Sequence, residues 1–442
     1  MCIRDRNMEY SVEQEPNRAI ITSKWGEIET AEVKKDTQVR YLGGVKSPIL
    51  TEVKKSDKVT VLEDEDDWMK VATADGYVGY IKTKFLKNQK KEKTSRDFTE
   101  PVYSDMTEDH SINMAWHNVT NAAANNAVQQ VLASTSGLTT IAPTWFSLAD
   151  TEGNISSIAD ADYVNYAHTA GLEVWAVFRD FHGGTNSYDE TYETLRYTSK
   201  RAKLEDQVVA AAVAAGVDGI NLDFELISSK CGVHYVQLVR ELSVKCHQNN
   251  LVFSVDNYVP QSYNSHYDLK EQGIVADYVV IMAYDEHTEG SYEAGSVASI
   301  SYLQDGIEKT LKKVSADKVI AGIPFFTRLW FETAKSPEQL SEEAGTEAAS
   351  YPNKVSSKAL GMEEAAQSVV NAGATAQWDE KTQQNYAKWS ADGGTYRIWL
   401  EDAQSLEAKL KVIQENKLAG VAEWSLGKEE SSVWKLISQY VN

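Results

Sequence analysis

The stretch Val217-Asp218-Gly219-Ile220-Asn221-Leu222-Asp223-Phe224-Glu225 constrains this chain more than any other. It follows an alanine-rich helical run, residues 203–215, closed by Gly216, a residue that readily supplies the left-handed conformation at a helix end. A strand after such a helix is expected to be parallel and buried on both faces. Successive strand side chains point to opposite faces, so Ile220, Leu222 and Phe224 share one face while Asn221, Asp223 and Glu225 share the other. In a (β/α)8 barrel the apolar face would meet the helices, and the polar face would line the barrel with Glu225 near its C-terminal mouth. Burying polar groups without partners costs about 1–3 kcal/mol each, so the pattern suits a site better than a core. The competing reading, an exposed antiparallel strand, fits poorly with the helix before it.

The rest of the chain supplies the other strands. Candidates are 112–119, 138–146, 173–178, 217–225, 251–257, 276–284, 318–325 and 420–426, separated by helix-compatible segments. The expected fold class is therefore α/β, a (β/α)8 TIM barrel over residues 98–442. About 95 residues separate the last two candidates, too many for one helix, and an inserted small α+β lobe over about 327–400 accounts for them.

At this point the residues resemble glycoside hydrolase family 18, the chitinase-like family, whose signature is D-G-x-D-x-D-x-E. It stands here as Asp218, Gly219, Asn221, Asp223 and Glu225, with Asn221 replacing a carboxylate. The variant is more similar to the bacterial cell-wall and spore-associated branch than to the dedicated chitinases. Two further stretches carry the resemblance: Met282-Ala283-Tyr284-Asp285 matches the family's M-x-Y-D, and residues 322–330 resemble its G-x-P-x-Y-x-R-x-W with Phe326 in place of the tyrosine. The resemblance implies that Glu225 is the general acid/base, that Asp223 orients the substrate's own N-acetyl group as it attacks the anomeric carbon, and that Tyr284 donates to that group. It also implies substrate contacts from Asn221, Met282, Asp285, Arg328 and Trp424, the last as a floor under the sugar ring. Trp116 lies near a strand end and is expected to line the groove as a further substrate contact. Trp145 and Asp180 lie near strand ends and are weaker candidates for the groove. Independently of the family, two carboxylates two residues apart on one strand face cannot easily both ionise, so one is expected to keep its proton near neutral pH.

Residues 37–88 alternate short β-rich pieces with turns, and resemble a bacterial Src-homology-3-like domain, a small all-β barrel. Its Trp68, Tyr77 and Tyr80 would either bind a wall component or fill the core. Residues 89–97 are charged and read as a linker, and 7–36 as the tail of a truncated upstream region. Residues 1–6 read as translated sequencing adapter, so the natural N-terminus is expected to be missing.

A net charge of −21 argues against nucleic acid as a partner, since phosphate binding needs a basic footprint. No run approaches the about 18 apolar residues of a membrane span. Cys231 and Cys246, 15 residues apart on one expected helix, would be about 22 Å from each other and are read as free structural thiols. The eight histidines show no ligand spacing, so no metal and no cofactor is expected. The resulting expectation is a monomeric retaining glycosidase acting on N-acetylglucosamine-containing glycan, peptidoglycan or chitin oligomers, secreted or wall-associated in a bacterium and held on the cell wall by the Src-homology-3-like domain. A chitinase-like lectin that has lost catalysis is the alternative, kept open by Asn221 and opposed by Glu225. An envelope scaffold with incidental activity is a third.

Overall fold

The computed structural model describes residues 11–15, 18–22, 26–94 and 105–441, in two units that fall within residues 1–102 and 103–442. The adapter reading of residues 1–6 lies outside the described residues.

The larger unit is a closed parallel barrel. Its strands are β1 (Ile112–His117), β2 (Thr140–Pro143), β3 (Glu173–Arg179), β4 (Gly219–Asp223), β5 (Val252–Tyr258), β6 (Tyr278–Met282), β7 (Val319–Pro324) and β8 (Gly420–Trp424). Each pairs in parallel with the next, and β8 pairs with β1 to close the ring. Ile220, Leu222, Phe253 and Val255 face outward into the layer beneath the helices. Trp175, Val177, Val252, Tyr278, Val280 and Ile320 fill the interior. Alternation within each strand produces both layers at once.

The start of β4 shows why its sequence is fixed. The helix Thr198–Ala215 ends at Gly216 with φ 77°, the left-handed cap that glycine adopts without steric cost. Asp218 then accepts a hydrogen bond from the Val174 amide and pairs with His168 Nε2, each at 2.8 Å, tying the entrance of β4 to β3. Gly219 follows because a Cβ there would lie 2.8 Å from the Trp175 ring, which stacks on Tyr278 in the barrel interior.

The insertion is a five-stranded antiparallel sheet, with Asn353–Gly361, Phe326–Ala334, Gly394–Leu400, Gln384–Ala391 and Gln377–Asp379 in spatial order. The helix Met362–Asn371 buries Ala365 and Val369 against Leu360, Ala387 and Ile398. Just past this lobe, Glu401 and Lys409 form a fully buried ion pair at 2.9 Å. Cys231 is the N-cap of the helix Gly232–Gln248 and Cys246 lies in its last turn, both as buried free thiols. Among the described residues no helix is long and apolar enough to cross a membrane.

The smaller unit carries a seven-stranded antiparallel sheet. Two of its strands fall where the sequence reading placed other things. Gly26–Val33, assigned to an upstream tail, pairs with Lys58–Glu65, and Leu86–Thr94 runs through the supposed linker to pair with Gly26–Val33. The physical reason is cross-strand charge pairing: Lys91 meets Glu27 at 2.7 Å and Lys87 meets Glu32 at 3.5 Å, so a solvated strand carries a linker's composition. The core is aliphatic, built on Val33, Val39, Val59, Val71 and Ile81 with Met69, and Trp68, Tyr77 and Tyr80 are half-buried outside it. Separately, Ser11–Glu15 pairs antiparallel with Arg18–Thr22.

Candidate active site

The inward faces of β4, β5 and β6 meet at the C-terminal mouth of the barrel. There Trp116, Asp223, Glu225, Met282, Tyr284, Asp285 and Trp424, all singled out in the sequence, line one cavity of about 180 Å³. Glu225 lies two residues beyond the end of β4, and its backbone is held at both ends. Asp180 accepts from the Glu225 amide at 2.9 Å and from the Leu226 amide at 3.0 Å, while the Tyr267 hydroxyl donates to the Glu225 carbonyl at 3.0 Å. The Tyr258 hydroxyl donates to the Glu225 carboxylate. Asp180, a weaker candidate for the groove, is thus a buried clamp on the chain that carries Glu225. Trp145 is likewise buried away from the cavity, donating to Asn125 at 2.8 Å.

Two expected substrate contacts stand elsewhere. Asn221 is fully buried one step below Asp223, where it accepts from the Trp116 indole at 3.0 Å and donates to Ser254 at 2.9 Å and to Asp256 at 2.7 Å. A position two residues deeper on a strand lies about 6.6 Å further from the mouth, which removes Asn221 from the cavity wall. Arg328, on the lobe strand Phe326–Ala334, donates to Ser357 at 2.9 Å and does not line the cavity. Its charge still reaches Asp285 and favours that carboxylate's ionised form.

The cavity also contains residues that the sequence reading passed over: Asp256 and Tyr258 from β5, and Arg179 with Phe181 and His182 from the end of β3. Their signal was present. Val252, Ser254, Asp256 and Tyr258 alternate with Phe253 and Val255, the same polar-in, apolar-out pattern that exposed β4.

Burial sets the electrostatics. The Asp223 carboxyl is pushed well above the usual range, first by burial and then by the charges of Glu225, Asp256 and Asp180, with Arg179 opposing. Burial likewise raises Asp256 to about 8, against the hydrogen bond from Asn221. Glu225 is raised by burial, lowered by the Tyr258 hydroxyl and raised again by Asp285. Burial in a low-dielectric wall thus shifts each of these carboxyls toward its protonated form, and the one on Glu225 faces the cavity. Tyr284, packed edge-on to Trp116 with centroids 6.4 Å apart, makes no hydrogen bond to a described residue. Trp424 lies edge-on to Trp116 at 6.0 Å.

A larger cavity, about 430 Å³, lies in the smaller unit between Lys35, Arg40, Lys54, Lys82, Trp68 and Phe85. Its carboxylates are Asp36 and Glu52, set among four lysines and arginines.

Comparison with known proteins bears on both units. Residues 115–429 match the family model described as glycosyl hydrolases family 18, and residues 34–87 match that of the bacterial SH3 domain. The uncharacterized glycosylase YvbX of Bacillus subtilis (strain 168) is 26% identical over 295 residues, 64% of this chain and 80% of that protein. The cortical fragment-lytic enzyme of the same organism is 27% identical over 256 residues, 55% of this chain and 54% of its own length, so the chain spans about half of that relative. Among solved structures, the spore cortex-lytic enzyme SleL of Bacillus cereus superposes with a TM-score of 0.64 at 19% identity, covering 79% of each chain. A chitinase from Chromobacterium violaceum ATCC 12472 does so with 0.62 at 21% identity, covering 74% of this chain and 98% of that one. At such identities the structures speak for the fold alone.

Proposed function

The chain belongs to glycosyl hydrolase family 18, and from that premise we infer that this glycoside hydrolase is a retaining enzyme that cleaves β-1,4 bonds at N-acetylglucosamine in peptidoglycan or chitin-like glycans. The observation that carries the reading is Glu225: a raised carboxyl with its backbone clamped by Asp180 and Tyr267, facing a cavity floored by Trp424 and Trp116.

Cleavage needs an acid at the leaving oxygen and stabilisation of an oxocarbenium-like centre. Glu225, shifted toward its acid form by burial, gives its proton to the glycosidic oxygen as the bond to the anomeric carbon breaks. The substrate's acetamido oxygen closes on that carbon from the other face, and the resulting oxazolinium is neutralised by its neighbours. Asp223 has a buried Oδ1 without a partner, an acceptor for the acetamido N–H. The Tyr284 hydroxyl is an available donor to the acetamido oxygen. Water, deprotonated by the now ionised Glu225, then opens the ring with net retention. Trp424 offers its face to the apolar side of the sugar. The bacterial SH3 match supports a wall glycan over chitin and a wall-associated location.

Mass spectrometry of the products tests this, with the protein and Glu225→Gln incubated separately with N-acetylglucosamine oligomers and purified peptidoglycan. New reducing ends at N-acetylglucosamine from the parent alone are expected. Retained glycan binding with no products from either protein would leave a lectin on this barrel.

A further inference from the structure

The carboxyls Asp223, Glu225, Asp256 and Asp285 give the cavity an acidic wall. Among the described residues that line it, Arg179 is the only lysine or arginine. It is the last residue of β3, on the inward face shared with Trp175 and Val177, and stands opposite Asp223 in the parallel register with β4. Arg179 and Asp223 are adjacent without being joined. Nε of Arg179 and Oδ1 of Asp223 are both buried without a hydrogen-bond partner, and the guanidinium lies over the Phe181 ring at 5.6 Å.

Arg328 also leaves a buried Nε without a partner, but it donates to Ser357 at 2.9 Å and lies outside the cavity lining, and three other arginines are fully paired. Arg201, Arg240 and Arg397 close on Glu241, Glu271 and Glu332 at 2.9, 2.9 and 2.6 Å. In a chain with 65 acidic and 44 basic residues, a half-buried cation left without a carboxylate partner is costly unless something arriving later pairs with it. A planar guanidinium is matched bidentately by a carboxylate, and stacking on Phe181 holds its plane in place. A neutral N-acetylglucosamine polymer brings only hydroxyls and amides, which call for no cation. A glycan bearing a carboxylate would meet no lysine or arginine in this lining without Arg179.

We propose that Arg179 is a specificity residue that selects glycans with a carboxylate on or attached to the sugar beside the cleaved N-acetylglucosamine. The source is either the lactyl-ether carboxyl of a muramic-type sugar or the peptide that such a sugar carries. The proposal rests on the glycosidase reading and deepens it, and the two fail separately.

Titration calorimetry on the Glu225→Gln protein removes turnover from the measurement. The probes are glycan strands of alternating N-acetylglucosamine and N-acetylmuramic acid, with the peptide removed to free the lactyl carboxyl, with the peptide retained, and each of these after carbodiimide amidation. The carboxylate strands are expected to bind about tenfold or more tightly than their amidated forms, as a charge-assisted bidentate pair requires. Adding Arg179→Gln should abolish that ratio, Arg179→Lys should keep part of it, and the two carboxylate arms identify the source. Equal binding of charged and amidated strands, or a preference that survives Arg179→Gln, overturns the proposal and leaves Arg179 as an electrostatic neighbour of Asp223. If Arg179→Gln does not fold, a preference that does not weaken as ionic strength rises from about 0.05 to 0.5 M overturns it equally. Product analysis of the parent protein judges the catalytic reading on its own.

Discussion

Asn221 donates to Asp256 at 2.7 Å while accepting from the Trp116 indole at 3.0 Å, so the residue that departs from the family signature holds together two residues that line the cavity. An amide can do both because it carries a donor and an acceptor, whereas a carboxylate at this position could only accept unless protonated. Asn221→Asp therefore adds a further buried carboxyl beside Asp223 and Asp256. Such a group has a folded-state pKa above its unfolded one, so its stability contribution is present at low pH and lost as pH rises through the folded value. The variant is expected to be less stable than the parent by about 1–3 kcal/mol, with the deficit larger at pH 8 than at pH 5. Urea denaturation at the two pH values measures it, and a deficit that shrinks with rising pH would falsify this account.

Tyr258 donates to the Glu225 carboxylate and thereby favours its ionised form. Removing that donor in Tyr258→Phe leaves burial and Asp285 to raise the carboxyl further. A hydrogen bond to a charged group contributes about 1.5–3 kcal/mol, which corresponds to roughly one or two pKa units. The alkaline limb of the kcat/KM profile should move to higher pH by about that amount, since this limb reports the acid of the free enzyme. An unmoved limb would show that another group sets it.

The strands of the barrel were legible because alternation is a physical requirement wherever one face meets helices and the other the interior. What the alternation of β4 revealed, the same alternation in β5 also held, yet Asp256 and Tyr258 correspond to none of the motifs that carried the family resemblance and so went unremarked. Asn221 was misplaced for a different reason. A motif gives residue order along a strand but not depth, and two residues of depth separate a cavity wall from a buried bracket. Arg328 was misplaced because its strand belongs to the lobe, whose sheet turns its side chain toward Ser357. The strand Leu86–Thr94 was hidden by composition, its lysines serving cross-strand partners that no local window contains.

Asp180 accepts from two successive backbone amides and from Thr191 at 3.1 Å, and its carboxyl, pushed up to about 7 by burial, is held down only by those bonds. Asp180→Ala leaves the amides of Glu225 and Leu226 without their acceptor, at about 1–3 kcal/mol each. A total loss of about 2–5 kcal/mol is expected, with kcat reduced more than glycan affinity because the acid shifts while the tryptophan floor does not. Asp180→Asn, keeping one acceptor oxygen, should fall between. Parallel denaturation and single-turnover measurements check this, and a fall in affinity at unchanged kcat would contradict it.

Glu401 and Lys409 are both fully buried, and Gln384 and Ser405 donate to the same carboxylate at 2.7 and 2.8 Å. Burial raises the Glu401 carboxyl despite the opposing Lys409 charge, so the pair is held by geometry against its desolvation. Removing one partner of such a pair strands the other, which costs about 3–5 kcal/mol, whereas removing both charges relieves that penalty. Lys409→Met should therefore unfold at markedly lower urea, and Lys409→Met combined with Glu401→Gln should recover part of the loss. Gln384 lies on the lobe and Lys409 in the helix Ala403–Glu415 of the barrel, so the single variant is expected to loosen the lobe first. Hydrogen exchange that rises across residues 384–400 before the barrel strands would show it, and uniform exchange would mean that the pair stabilises the barrel alone.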